Sequence, residues 1–176
     1  VPTEHKPWPA ITLERFHTIL KIEDKLKDFD WVLFLDADME IRQRVESNEL
    51  FTAKDFIGVH HPCHYKTGTG TYERNPKSEA CVTGDQINYY QGCLWGGKTS
   101  AVIPMMKTLK DRVDKDYEND IIAVWHDESH LNRFFLDNED KLHALSPDYA
   151  FPECYPDYPF EQKIVHLAKD NKSYQQ

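Results

Sequence analysis

The chain has 176 residues, enough for one domain with a sizeable core and too few for two of ordinary size. Its composition, 40% apolar, 12% aromatic and 29% charged, is that of a folded globular protein and excludes a disordered or low-complexity one. A net charge of −9 argues against general nucleic-acid binding, which needs a basic footprint, and no stretch approaches the ~18 consecutive apolar residues of a membrane span. No linker or composition shift divides the chain, so residues 1–176 are expected to form a single domain. The start, Val1 to Pro9, lacks the apolar core of a signal peptide. Cys63, Cys81, Cys93 and Cys154 are scattered with no CxxC, which reads as free thiols and a cytoplasmic location rather than a thiolate zinc site.

In chain order, a Pro-rich extended start gives way at Thr12, a plausible N-cap, to helical spacing of Leu13, Phe16, Ile19, Leu20, Ile22 and Leu26. Trp31 to Leu35 is a continuous apolar run, the mark of a buried strand in a parallel or mixed sheet. Phe56 to His60 reads as a second strand, and residues 62–88 as loop. Tyr89 to Trp95 reads as a third strand closed by Gly96 and Gly97. Ser100 is expected to cap a helix that buries Val102, Ile103, Met106, Leu109 and Val113. Another helix starts near Asp127 with Leu131, Phe134 and Phe135 inward. Residues 146–160 read as a long loop, and Val165 to Gln176 as a polar end. Interleaved strands and helices predict an α/β fold.

Two clusters carry chemistry. Asp36-Ala37-Asp38 follows the apolar strand directly. Two carboxylates converging at a strand end repel unless an oxygen-loving divalent ion joins them, and such an ion can bridge to phosphate oxygens. A surface turn with two solvated acids is the plainer alternative. The second cluster is Trp125-His126-Asp127-Glu128-Ser129-His130-Leu131-Asn132. A flat aromatic beside carboxylates suits a sugar, whereas acids in a first helical turn also serve the helix itself. His126 and His130, spaced i, i+4, and the group His60, His61 and His64 raise zinc as an alternative, although the metalloprotease pattern wants Glu where Asp127 stands. Thr67 to Gly70 is glycine-rich but is no P-loop, and Lys169 and Lys172 read as solvated charges.

Taken in order, Asp36-Ala37-Asp38-Met39, His61-Pro62, Thr71 to Arg74, Tyr89-Tyr90, Gly96-Gly97, the block from Trp125 to Asn132, and Leu145 to Tyr149 resemble the retaining glycosyltransferases of family 6. That family includes the blood-group A and B transferases and α-1,3-galactosyltransferase. The likeness runs from about residue 8 onward, and the Trp125 to Asn132 block is its most specific part.

The resemblance implies a GT-A fold, an open mixed sheet flanked by helices that binds a UDP-sugar at the strand ends. It implies transfer of galactose or N-acetylgalactosamine, from UDP-galactose or UDP-N-acetylgalactosamine, to a galactoside acceptor in α-1,3 linkage. On that reading Asp36 and Asp38 hold Mn²⁺ and the UDP part, and Arg15, Asp127, Gln91, Gly92, Cys93 and Lys169 belong to the donor site. Glu128 is the catalytic carboxylate at the anomeric carbon, and His61, Thr71 and Trp125 meet the acceptor. Both aspartates are present where some bacterial relatives carry asparagines, which favours metal dependence. With neither the anchor nor the stem of the animal members, the chain is expected to be a bacterial or viral type. It is also expected to lack the N-terminal βαβ-type segment that helps hold the uridine. A non-catalytic protein that binds UDP-sugar or glycan on the same fold is the second reading, and a zinc hydrolase built on the histidine clusters the third.

Overall fold

The computed structural model describes residues 5–168. The helical expectation at the start holds in kind but not in boundary. Three short helices, α1 (Ala10–Leu13), α2 (Arg15–Leu20) and α3 (Glu23–Leu26), replace one long one. They are separated at Glu14 and Ile22, whose ψ angles of 16° and 23° leave the helical region. Thr12 is no N-cap: it lies inside α1 and its hydroxyl donates back to the Pro9 carbonyl at 2.9 Å.

Strand β1 (Trp31–Leu35) lies at the edge of a four-stranded mixed sheet and is half-buried rather than buried throughout. Val32 and Phe34 pack against one core cluster, and Trp31, Leu33 and Leu35 against another on the opposite face. A strand covered on both faces needs apolar residues at every position, which explains the unbroken run. The chain continues through β2 (Met39–Ile41) and α4 (Ser47–Leu50) into β3 (Phe56–His60) and then the loop of residues 65–89. That loop is tied down by buried carboxylates: Asp116 accepts from the Ser78 hydroxyl at 2.6 Å, and Glu73 from the Val124 backbone N–H at 2.8 Å.

Strand β4 (Tyr90–Lys98) is central, antiparallel to both β1 and β3, while β3 runs parallel to β5 (Leu142–Leu145). Gly96 and Gly97 do not close β4 but lie within it. They face Leu33 and Val32 on one side and Ile57 and Phe56 on the other. A Cβ on Gly96 would come within 2.2 Å of the Val32 carbonyl oxygen, and Gly97 has φ +146°, so glycine is required by backbone approach rather than by a turn.

Helix α5 (Thr99–Glu118) starts one residue before Ser100 and buries Val102, Ile103, Met106, Leu109 and Val113 as the periodicity predicts. Helix α6 (His126–Asp137) buries Leu131, Phe134 and Phe135. With Phe16 of α2, these helices form the main core against Phe56, Tyr90, Trp95 and Leu142 on one sheet face. The opposite face is covered by a second sheet, in which β7 (Ile164–His166) pairs with β2 and with β6 (Phe151–Pro152). The expected polar end therefore begins too early: Val165 is fully buried in β7. The long loop of 146–160 is interrupted by β6 and by a 3₁₀ turn at Pro147–Tyr149.

Candidate active site

The site forms where β4 departs from regular pairing. Gln91 pairs with Val59 and Trp95 with Gly58, so Gly92, Cys93 and Leu94 are extra residues relative to β3. Such a bulge bends the strand and frees main-chain groups from the ladder. Beyond the end of β1, the Asp36 N–H donates to the Cys93 carbonyl at 2.9 Å, which fixes the aspartate beside the bulge. The first turn of α6 approaches from across. The Gly92 N–H donates to Glu128 Oε2 at 2.8 Å, and the Gly92 carbonyl accepts from Arg15 Nη1 at 3.2 Å. Between these elements lies a cavity of about 360 Å³, bounded by Arg15, Asp36, Gln91 to Cys93, Trp125 to Glu128 and His166.

Asn132, one turn beyond Glu128, clamps the two elements. Its side chain accepts from the Tyr90 N–H at 2.8 Å and donates to the Tyr90 carbonyl at 2.7 Å and the Glu128 carbonyl at 2.9 Å. Glu128 itself is held at both oxygens, by the Gly92 N–H and by the Tyr89 hydroxyl, which donates to Oε1 at 2.8 Å. Burial nevertheless outweighs these donors and raises its pKa to about 7. Asp127 is 5% exposed, and burial raises its pKa to about 6 against the attraction of Arg15.

Arg15 is the hub of charge. Its Nε lies 3.1 Å from Asp127 Oδ2, its Nη1 3.3 Å from Asp36 Oδ1, and its guanidinium sits over the Phe34 ring at 4.9 Å. A planar guanidinium can satisfy several acceptors in fixed directions, which a lysine ammonium cannot. The buried Asp127 and the half-buried Asp36 are thereby tied to one cation.

Asp36 and Asp38 come together with a residue that sequence reasoning did not single out. His166, brought back by β7, lies with its Nε2 3.0 Å from Asp38 Oδ2, and the three side chains place their ligand atoms within 4.8 Å of one another. Two carboxylates and an imidazole are a donor set that suits a divalent ion of the Mn²⁺ kind, so these residues fit the metal that the resemblance implies. No local signal marks His166, because its position opposite Met39 is a matter of strand pairing.

The expected acceptor residues occupy the neighbouring rim. Trp125, 49% exposed, stands at the cavity mouth. Exposed Thr71 donates to the Tyr89 hydroxyl at 3.2 Å, and the His61 ring lies 5.7 Å from that of Tyr89. Burial lowers the His61 pKa to about 4, leaving a neutral imidazole. Tyr89 thus links Thr71 and His61 to Glu128, a role that its place in the motif order did not reveal. Cys93 is buried in the core cluster below the cavity, where burial pushes its thiol pKa up. Lys169 lies outside the described residues. Among the described residues neither histidine cluster gathers three ligand donors. His130 is buried, and His126 turns its ring against Trp8 at 4.6 Å.

A mixed α/β sheet flanked by helices, with an acidic cluster at the end of its first strand and a carboxylate pair lining the adjoining cavity, defines a glycosyltransferase of the GT-A type. The family profile Glycosyltransferase family 6 matches residues 2–176, and the chain belongs to that family. It is 33% identical to the O-antigen biosynthesis glycosyltransferase WbnI of Escherichia coli over 178 residues, which covers 99% of this chain and 74% of that protein. It is 31% identical to histo-blood group ABO system transferase 2 of Rattus norvegicus over 173 residues, 96% of this chain and 51% of the relative. To the Homo sapiens globoside alpha-1,3-N-acetylgalactosaminyltransferase 1 it is 30% identical over 173 residues, 96% and 48%. The chain thus spans about half the length of the two animal relatives. Among the described residues no helix is long and apolar enough to cross a membrane.

Proposed function

We propose that the chain is the catalytic domain of a metal-dependent, retaining glycosyltransferase. It moves galactose or N-acetylgalactosamine from a UDP-sugar to a galactoside in α-1,3 linkage. The observation that carries this reading is Glu128, a carboxylate held by two donors on the wall of a cavity that Arg15, Asp127 and Asp36 also line. A cytoplasmic location belongs to the same reading, supported by unpaired thiols that include the exposed Cys63 and Cys154.

Asp36 and Asp38 would hold the divalent ion, which when bound supplies positive charge to the diphosphate of the donor. Asp127 and Arg15 would recognise donor-sugar hydroxyls, and the Gly92 main chain lines the same cavity. The bond from the anomeric carbon to the diphosphate oxygen breaks, and UDP leaves with the electron pair. Glu128 stabilises the positive charge that develops at that carbon, as nucleophile or as ion-pair partner. The acceptor hydroxyl oxygen forms the new bond and gives up its proton, which the departing diphosphate can take. Because UDP leaves as an anion already neutralised in the site, no general acid is needed. Trp125 offers an apolar face for the acceptor galactoside, and Thr71 and His61 offer polar contacts.

The test compares the wild type with Glu128→Gln and Asp38→Asn. Glu128→Gln is expected to lose transfer by orders of magnitude while UDP binding persists; Asp38→Asn is expected to weaken Mn²⁺ and UDP-sugar binding together. Transfer that survives Glu128→Gln would overturn the mechanism. UDP-sugar binding by the wild type, with neither transfer nor hydrolysis, would point instead to the non-catalytic binding protein.

A further inference from the structure

We propose that His166 is a third protein ligand, through Nε2, to the divalent ion held by Asp36 and Asp38, and that Gln91 is the positioning residue that sets its tautomer. The inference rests on the metal-dependent reading above and adds to it a ligand, His166, and a second role for Gln91.

Three observations converge. The ligand atoms of Asp36, Asp38 and His166 already lie within 4.8 Å of one another, which is the proximity a shared ion requires. The histidine is placed there by main chain, not by a mobile loop. His166 pairs with Met39 across β2 and β7, the Leu167 N–H donates to the Asp38 carbonyl at 3.0 Å, and the Glu153 N–H donates to the His166 carbonyl at 3.1 Å. Finally, the far ring nitrogen has its own partner: His166 Nδ1 is 3.1 Å from Gln91 Nε2. The other end of that amide, Gln91 Oε1, is buried and has no hydrogen-bond partner among the described residues.

The tautomer argument follows from proton accounting. As arranged, the Gln91 amide N–H donates to Nδ1, so the ring proton is on Nε2 and points at Asp38 Oδ2, 3.0 Å away. A metal ligand must offer Nε2 as a lone pair, which moves the ring proton to Nδ1. The proton passes from one ring nitrogen to the other, so no net proton is gained or lost. A half-turn of the Gln91 amide presents Oε1 to the Nδ1–H, which satisfies the orphaned oxygen and locks the ligating tautomer. Ligating histidines commonly donate their second N–H to an oxygen of this sort, and loss of that partner costs about 10–100-fold in metal affinity. Gln91 can serve either tautomer because an amide carries a donor and an acceptor on the same carbon.

The test is Mn²⁺ binding followed by electron paramagnetic resonance, with and without UDP, on the full chain. Wild-type protein is expected to show ¹⁴N coupling from a directly bound imidazole in the spin-echo modulation. His166→Ala is expected to lose that coupling and to bind Mn²⁺ at least about tenfold more weakly. Gln91→Leu, which leaves β7 and its histidine in place, should also weaken binding, whereas Gln91→Glu should retain it because a carboxylate accepts the Nδ1–H. Mn²⁺ bound in an Asp38-dependent way but without ¹⁴N coupling would overturn the proposal and leave the metal-dependent reading intact. Coupling that persists in His166→Ala would overturn it as well. No Mn²⁺ uptake by the wild type, even with UDP, would overturn both.

Discussion

The Tyr89 hydroxyl donates to Glu128 Oε1 at 2.8 Å, from the residue just ahead of the strand whose bulge supplies the second donor. A hydrogen bond to the charged form of a carboxylate lowers its pKa, and here it opposes a burial effect that raises it to about 7. Tyr89→Phe removes one of the two donors while keeping the ring in its contact with Tyr72. The expected outcome is a fall in kcat of roughly tenfold at neutral pH, with the acid limb of the pH–rate profile moved upward. An unmoved profile would show that Tyr89 does not tune Glu128.

Stability should respond to pH through the same carboxylate. The folded pKa of Glu128 lies near 7, above its ordinary 4.5, and that of Asp127 near 6, above 3.8. A raised carboxyl pKa favours the protonated form in the fold. Its contribution is therefore full below the unfolded pKa and is lost as pH rises through the folded one. Glu128→Gln cannot ionise, so its Tm relative to wild type should rise between pH 4 and pH 8. At about 1.4 kcal/mol per pK unit, the ceiling is about 3.5 kcal/mol. Thermal unfolding at the two pH values measures it, and a pH-independent difference would contradict the burial of this charge.

Gly92 tests the space above the bulge. A Cβ there would meet Glu128 Cβ at 3.4 Å and Asp127 Oδ2 at 3.5 Å, which is ordinary contact rather than a clash. Gly92→Ala is therefore expected to fold with a Tm close to wild type but to place a methyl group against Asp127 and Glu128. The expected kinetic sign is a raised KM for the UDP-sugar, read from initial rates at saturating acceptor.

Asn132 carries the architecture of the site. It is fully buried, and its three hydrogen bonds join β4 to α6 at the level of Glu128. Asn132→Ala leaves the buried main-chain groups of Tyr90 without their partner, which costs about 1–3 kcal/mol for an unsatisfied group. Urea unfolding should show that loss, and Glu128→Gln in the Asn132→Ala background should cost less additional activity than it does alone, because the carboxylate is already misplaced.

Much of the helical fold was legible from spacing. The inward faces of α5 and α6 follow the 3.6-residue period, and those residues are buried because packing against a sheet selects that stripe. The three short segments at the start share one helical spacing, since hydrophobic spacing says nothing about where ψ departs at Glu14 and Ile22. By sequence Gly96 and Gly97 look like a strand end, because glycine commonly marks one. In fact their missing side chains admit the backbones of β1 and β3 on either side. Strands β2, β6 and β7, two or three residues each, carry too little pattern to be read at all.

The same division runs through the site. Sequence alone marked the candidate residues: the aspartates after an apolar strand, and the aromatic, acids and histidines gathered at one helix start, because local spacing places neighbours on one element. Only the tertiary structure decided what those groups face. Arg15 between Asp36 and Asp127, Tyr89 and the Gly92 bulge on Glu128, and His166 beside Asp38 join segments distant along the chain. Such contacts arise from strand register and from the burial of charge against charge, and neither leaves a periodic trace in the order of residues.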